Sequence, residues 1–143
     1  MDALSVYLDA SVVISLFLPD TMADRAKAFL RTKPADLIVS DWCAAELASV
    51  VSKRVRMRLF IENEARNVLT SFDNWTAANI ARTGCLPEDI RAAEVMLRRL
   101  DLNLRTPDAI HIAIALRLGA ELATFDVRMA ESAEALGVAA VAV

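Results

Sequence analysis

The chain has 143 residues, 56% of them hydrophobic, with three glycines, four prolines and a formal charge of −3 from 16 basic and 19 acidic side chains. That length suits one domain with a sizeable core, expected here over residues 1–143, and the composition excludes a disordered chain. The slight acidity argues against a general nucleic-acid coat protein, and the most apolar windows, 12–18 and 109–122, are too short or too interrupted by Arg117 and Glu121 to span a bilayer.

Asp2 stands where a secretory signal would carry basic residues, and Cys43 and Cys85 show no metal-ligand spacing. A cytoplasmic chain with reduced cysteines and no membrane contact is therefore expected. With one histidine, the usual zinc sites are excluded, and any metal should be a hard cation on oxygen.

In chain order, Leu4 to Leu8 reads as a strand closed by Asp9, and a helix follows through Val12, Val13, Leu16 and Phe17. Pro19-Asp20 breaks it, and Thr21 with Asp24 resembles a capping box opening a second helix. Its inner face is Met22, Ala26, Phe29 and Leu30, with Arg25, Lys27, Arg31 and Lys33 outside. After a turn at Pro34-Ala35-Asp36, Leu37 to Val39 is a second strand. Ser40-Asp41 starts a third helix with Ala44, Leu47, Ala48, Val51 and Val55 as its core stripe.

Glu46 lies beside that stripe, an awkward place for an acid without a task. The helix ends in the basic run Lys53, Arg54, Arg56 and Arg58, which suits either the helix dipole on a solvated face or contact with an RNA backbone. A fourth helix is expected from about Ile61 to Trp75, on Ile61, Ala65, Val68, Leu69 and Phe72. The stretch 74–86 is a short strand or a helix extension. Pro87, Glu88 and Asp89 open a fifth helix with Ile90, Ala93, Met96, Leu97 and Leu100 inward and a Glu94–Arg98 pair outward.

Thr106 reads as the N-cap of a sixth helix, Pro107 as its first residue and Asp108 as a first-turn acid, with Gly119 as the stop. Leu122 to Phe125 is then a buried strand, and Asp126 stands at its end. Met129, Ala130, Ala133 and Leu136 pattern a last helix, and Val138 to Val143 a last strand. This alternation predicts an α/β fold, a parallel sheet with helices on both faces. Ligands bind such sheets beyond the carboxyl ends of the strands.

Asp9, Glu46, Asp108 and Asp126 are therefore candidates to share one site at that edge. Two carboxylates about 4 Å apart repel by roughly 4 kcal/mol at an effective dielectric near 20, so such a cluster implies magnesium or manganese, or raised proton affinity. The same acids also suit separate roles: Asp9 and Asp126 as caps, Asp108 as a dipole partner, Glu46 on the surface. Ser11, Thr106 and Thr124 are secondary candidates beside them, and His111 suits support of the site more than a general base.

Taken together, Tyr7-Leu8-Asp9-Ala10-Ser11, Glu46, Thr106 to His111, Thr124-Phe125-Asp126 and the closing run 133–138 resemble the PIN-domain family, and within it the VapC-like ribonuclease toxins of toxin–antitoxin systems. The resemblance covers nearly the whole chain. It implies a three-layer sandwich with a central parallel sheet of four to five strands. It also implies a metal-dependent endoribonuclease whose acidic quartet, Asp9, Glu46, Asp108 and Asp126, holds Mg2+ or Mn2+ and whose metal-activated water attacks the phosphorus. A homodimer and a small antitoxin protein are implied as partners, the antitoxin packing in a groove for which Phe17, Phe29, Leu69 and Phe72 are candidates. The competing readings are another metal-dependent phosphoesterase or DNA nuclease, and a non-catalytic α/β binding module. A Rossmann site is disfavoured, because Asp9 to Val13 lacks the glycines that let backbone approach a pyrophosphate.

Overall fold

The computed structural model describes residues 4–32 and 36–143. Strand β1 (Ser5–Leu8) is followed by α1 (Ala10–Phe17), α2 (Ala23–Thr32), β2 (Asp36–Ser40), α3 (Asp41–Arg56) and α4 (Glu62–Asn79). Then come β3 (Ala81–Thr83), α5 (Pro87–Leu97), α6 (Thr106–Leu118), β4 (Glu121–Ala123), α7 (Val127–Ala135) and β5 (Ala140–Val141). The strands form one five-stranded sheet in the order β3-β2-β1-β4-β5, and every pairing is parallel. The α/β parallel sheet expected from the alternation is what the chain forms.

β1 is central, and its Val6, Tyr7 and Leu8 are fully buried, as a strand covered on both faces requires. Leu8 and Val6 join a core with α1, α2, α3 and α4 on one side, through Val12, Phe29, Leu47 and Phe72. Tyr7 joins the other, with α5, α6 and α7, through Ala93, Ile112, Leu122 and Met129. The strand order reverses about β1, since β2 lies on one side of it and β4 on the other. Such a switch point opens a crevice beyond the strand ends, and Asp9 and the residues after β4 stand there.

Several expectations change in detail. At the start of α2, Asp20 Oδ1 accepts from Met22 N at 2.7 Å, in place of the Thr21–Asp24 capping box; a side chain one residue earlier reaches the free amide. In α3 the buried face is Cys43, Leu47 and Val51, and Ala48 is exposed. α4 runs on to Asn79 and β3 follows at once, so the stretch 74–86 holds both a helix extension and a strand. Ile61 precedes α4 and is exposed, as are Ile90 and, at 93%, Leu100. All three lie at helix ends, where the apolar period runs past the packed turns.

Thr106 is the first residue of α6 and Arg105 its N-cap, a shift of one from the expected cap. Gly119 ends α6 at φ 62° in the left-handed region, where a Cβ is disfavoured. β4 stops at Ala123, and β5 keeps only Ala140 and Val141 of the expected run. The turn expected at Pro34-Ala35 and the place of Lys33 lie outside the described residues.

Candidate active site

Asp9 caps α1: its Oδ1 accepts from Val12 N at 3.1 Å and from Ser11 Oγ at 2.7 Å. Asp126 caps α7 in the same way, with Oδ1 accepting from Arg128 N at 3.0 Å and Met129 N at 3.2 Å. The capping roles read for these two acids are therefore real. They engage Oδ1 of each, and a carboxylate has a second oxygen for other work.

Ser11 and Thr124 tie the exits of β1 and β4 together. Ser11 Oγ accepts from Phe125 N at 3.0 Å, Thr124 Oγ1 accepts from Asp126 N at 3.0 Å, and the two hydroxyls are 3.4 Å apart. Asp9 and Asp126 are thus joined through two side chains. Asp9 is nearly sealed from solvent, and burial raises its carboxyl above the usual aspartate value against the lowering effect of Thr124, Ser11 and His111.

Asp108 sits in the first turn of α6, where Arg105 Nε lies 3.4 Å from its Oδ2. Asp108 and Asp126 line one polar cleft of about 410 Å³ with Asn103, Arg105 and Arg128. Thr106 is exposed at the start of α6. Among the bonds described, none links it to this network.

Glu46 approaches from α3. Its Oε1 lies 2.5 Å from His111 Nε2, and His111 Nδ1 lies 2.6 Å from the Tyr7 hydroxyl, which is 2.7 Å from Ser40 Oγ. Burial pushes the Tyr7 phenol well above its ordinary value, with Asp9 and Glu46 both adding to the rise. Both acids also raise Cys43, again after burial as the main cause. In the sequence Tyr7 stands as one member of the opening motif and as a strand hydrophobe, with no role of its own. The available signal was its hydroxyl, which needs a partner in a strand buried on both faces.

The donor set at this edge is oxygen, which fits a hard divalent cation, and a desolvated carboxylate such as Asp9 is one that a neighbouring cation would ease. The four acids do not form a closed cage, however. Among the described residues, no three or more His, Cys, Asp or Glu groups stand close enough to hold a metal as they are.

The basic run lies elsewhere. α3 starts at the site edge and leads away from it, so Lys53, Arg54 and Arg56 stand about 10–15 Å beyond Glu46 at 1.5 Å per residue. Arg58 follows the helix end with φ 59°. The cations beside the acids are Arg105 and Arg128. Of the groove candidates, Phe29 and Phe72 are buried in the core, while Phe17 and Leu69 are half-buried. Phe17 also stacks edge-on against Phe72 and Trp75. Among the described residues, no helix is long and apolar enough to cross a membrane.

The model of the PIN domain matches residues 6–135. The chain is similar to Ribonuclease VapC46 of Mycobacterium tuberculosis, with 29% identity over 143 residues covering 96% of this chain and 97% of that protein. Among solved structures it is similar to Mycobacterium tuberculosis VapC20, described as a Sarcin-Ricin loop cleaving toxin, with a TM-score of 0.73 at 18% identity, covering 95% of this chain and 98% of that one. It is also similar to a chain of a toxin-antitoxin complex from Klebsiella pneumoniae, with a TM-score of 0.57 at 21% identity, covering 85% of this chain and 86% of that one.

Proposed function

The chain belongs to the PIN-domain family, and from that membership we propose that it is the toxin endoribonuclease of a toxin–antitoxin pair, acting as one domain over residues 1–143. The observation that carries this reading beyond family membership is the shared edge. Asp9 and Asp126 are joined through Ser11 and Thr124, and Asp108 and Asp126 line one cleft. Asp9, Glu46, Asp108 and Asp126 would hold magnesium or manganese. Bound there, the ion would supply a lower water pKa and neutralise charge on the phosphodiester.

The chain's own residues then divide the remaining work. Ser11 and Thr124 hold Asp9 and the backbone at Asp126 in place, and Arg105 and Arg128 offer donors to phosphate oxygens beside the acids. Arg105 also lies within ion-pair reach of Asp108. Replacing Arg128 by Gln is expected to weaken binding of single-stranded RNA and to flatten the slope of log affinity against log salt by about 0.7. Filter binding across a salt series measures it. The same substitution at Arg56, far from the cleft, should leave that slope in place.

A small antitoxin protein and a second copy of the chain are the proposed partners. The half-buried Phe17 and Leu69 offer the apolar surface for the antitoxin, and the likeness to a chain from a toxin-antitoxin complex supports it. Cys43 and Cys85 are both free, which agrees with a cytoplasmic setting.

The test compares RNA, single-stranded DNA and a small phosphoester with magnesium or manganese, with and without chelator. RNA cleavage that stops on chelation is the expected result. Faster turnover of DNA or of the small ester would favour another phosphoesterase, and no divalent-ion binding by calorimetry together with no hydrolysis would leave a binding module.

A further inference from the structure

The hydrogen bonds around Tyr7 form a single ordered path that starts and ends on α3. Cys43 N donates to Ser40 Oγ at 3.0 Å; the hydroxyls of Ser40 and Tyr7 meet at 2.7 Å, Tyr7 meets His111 Nδ1 at 2.6 Å, and His111 Nε2 meets Glu46 Oε1 at 2.5 Å. Ser40 and Tyr7 are fully buried and His111 is 2% exposed, so no water supplies a substitute partner easily.

Counting donors leaves one consistent direction. With Glu46 Oε1 as the acceptor at one end and Cys43 N as the fixed donor at the other, His111 donates from Nε2 to Glu46. Nδ1 is then an acceptor, which makes Tyr7 the donor to it. The Tyr7 oxygen in turn accepts the Ser40 proton, and Ser40 Oγ accepts from Cys43 N. Every group in the path is satisfied. With the ring proton on Nδ1, two acceptors would face each other at Glu46. A doubly protonated ring would reverse Tyr7 and Ser40 and leave the Ser40 proton with no acceptor among the bonds described.

We infer that Ser40, Tyr7 and His111 are positioning residues, a buried relay of fixed direction that locks the Nε2–H tautomer and holds Glu46 by Oε1, presenting its other oxygen to the divalent-ion site. This rests on the metal-dependent reading above and adds the groups that orient one of its four acids. Ordinary packing does not require the relay: a phenylalanine at position 7 and a leucine at position 111 would fill the same space without a polar chain through the core.

The single histidine makes the relay directly observable. A long-range 1H–15N spectrum of the metal-free protein contains one imidazole, and the expected pattern is the Nε2–H tautomer. In Tyr7→Phe the donor to Nδ1 is gone, so the tautomer should become mixed, and Mn2+ affinity should fall severalfold, toward the low end of the about 10–100-fold range that follows loss of a ligand's direct partner, here His111. Adding Tyr7→Phe to Glu46→Gln should cost little further affinity, because both act through the same carboxylate.

An Nδ1–H or doubly protonated ring in the wild-type spectrum overturns the relay, and that spectrum needs no variant to fold. Equal Mn2+ affinity of wild type and a folded Tyr7→Phe protein overturns the positioning role. No Mn2+ binding by wild type at all removes the metal reading and this inference with it, while the tautomer still reports separately whether the relay exists.

Discussion

Asp9→Asn protein is expected to lose metal-dependent RNA cleavage by at least about a hundredfold and, in the absence of metal, to melt at a higher temperature than wild type. The two effects have one cause. Asp9 is a carboxylate taken out of water at the end of β1, where burial is the largest influence on it and raises its proton affinity. Charge held in that position destabilises the metal-free fold and serves a bound cation. The amide keeps an oxygen for Ser11 and Val12 N but carries no charge for the ion.

The pH dependence of the stability difference has a definite sign. A carboxyl whose folded pKa is raised above its unfolded value binds protons more tightly when folded, so its contribution is fully present below the unfolded value and is lost as pH rises through the folded one. The advantage of Asp9→Asn should therefore be largest at neutral pH and shrink on acidification through the raised folded pKa toward the ordinary aspartate value of 3.8. Calorimetric melting across that range, beside cleavage assays at neutral pH, reads both halves. Undiminished cleavage would take the chemistry away from Asp9, and a lower melting temperature at neutral pH would show that the attraction of its charge to the start of α1 outweighs its desolvation.

The order of strands and helices was legible because apolar period and stop signals agree along most of the chain. β1 reads as a buried run, and Gly119 closes α6 in the left-handed conformation its position in the sequence suggests. The errors cluster at ends. Ile61, Ile90 and Leu100 continue an apolar period past the turn that packs, and period alone does not say where a neighbour stops. The candidate acids were legible as residues at strand exits and helix entrances, since Asp9, Asp108 and Asp126 lie there. What joins them was not. The Tyr7–His111–Glu46 path connects three elements far apart in sequence, and no spacing rule within a helix or a strand encodes it. Arg105 and Arg128 were hidden for the same reason: the cleft they share is made by two helix starts, α6 and α7.

Asp89 shows how a local reading can be right and incomplete, and it leads to a large expected effect on stability. Read from the sequence it opens α5, and its Oδ2 does accept from Leu86 N at 2.8 Å. It is also buried, 1% exposed, and gripped by Arg117 of α6 through two bonds, Nε to Oδ1 at 2.8 Å and Nη2 to Oδ2 at 3.0 Å. Arg117 Nη2 reaches Gly84 O at 3.0 Å as well, so one guanidinium pins α5 and the exit of β3 to α6.

Arg117→Met keeps much of the side-chain length and removes the charge, leaving a buried carboxylate with a single amide for company. Breaking a buried pair from one side destabilises by about 3–5 kcal/mol. The Arg117 side chain is 27% exposed, so water reaches part of the gap and the lower end, about 3 kcal/mol, is expected. At roughly 2–4 °C per kcal/mol for a chain of this size, the melting temperature should drop by about 6–12 °C. The double variant Arg117→Met, Asp89→Leu removes the stranded charge and should recover a good part of that loss, although it gives up the bond to Leu86 N. Recovery in the double variant would assign the loss to the orphaned carboxylate; a double variant no more stable than Arg117→Met would assign it to the lost tie between Arg117 and the β3 exit at Gly84.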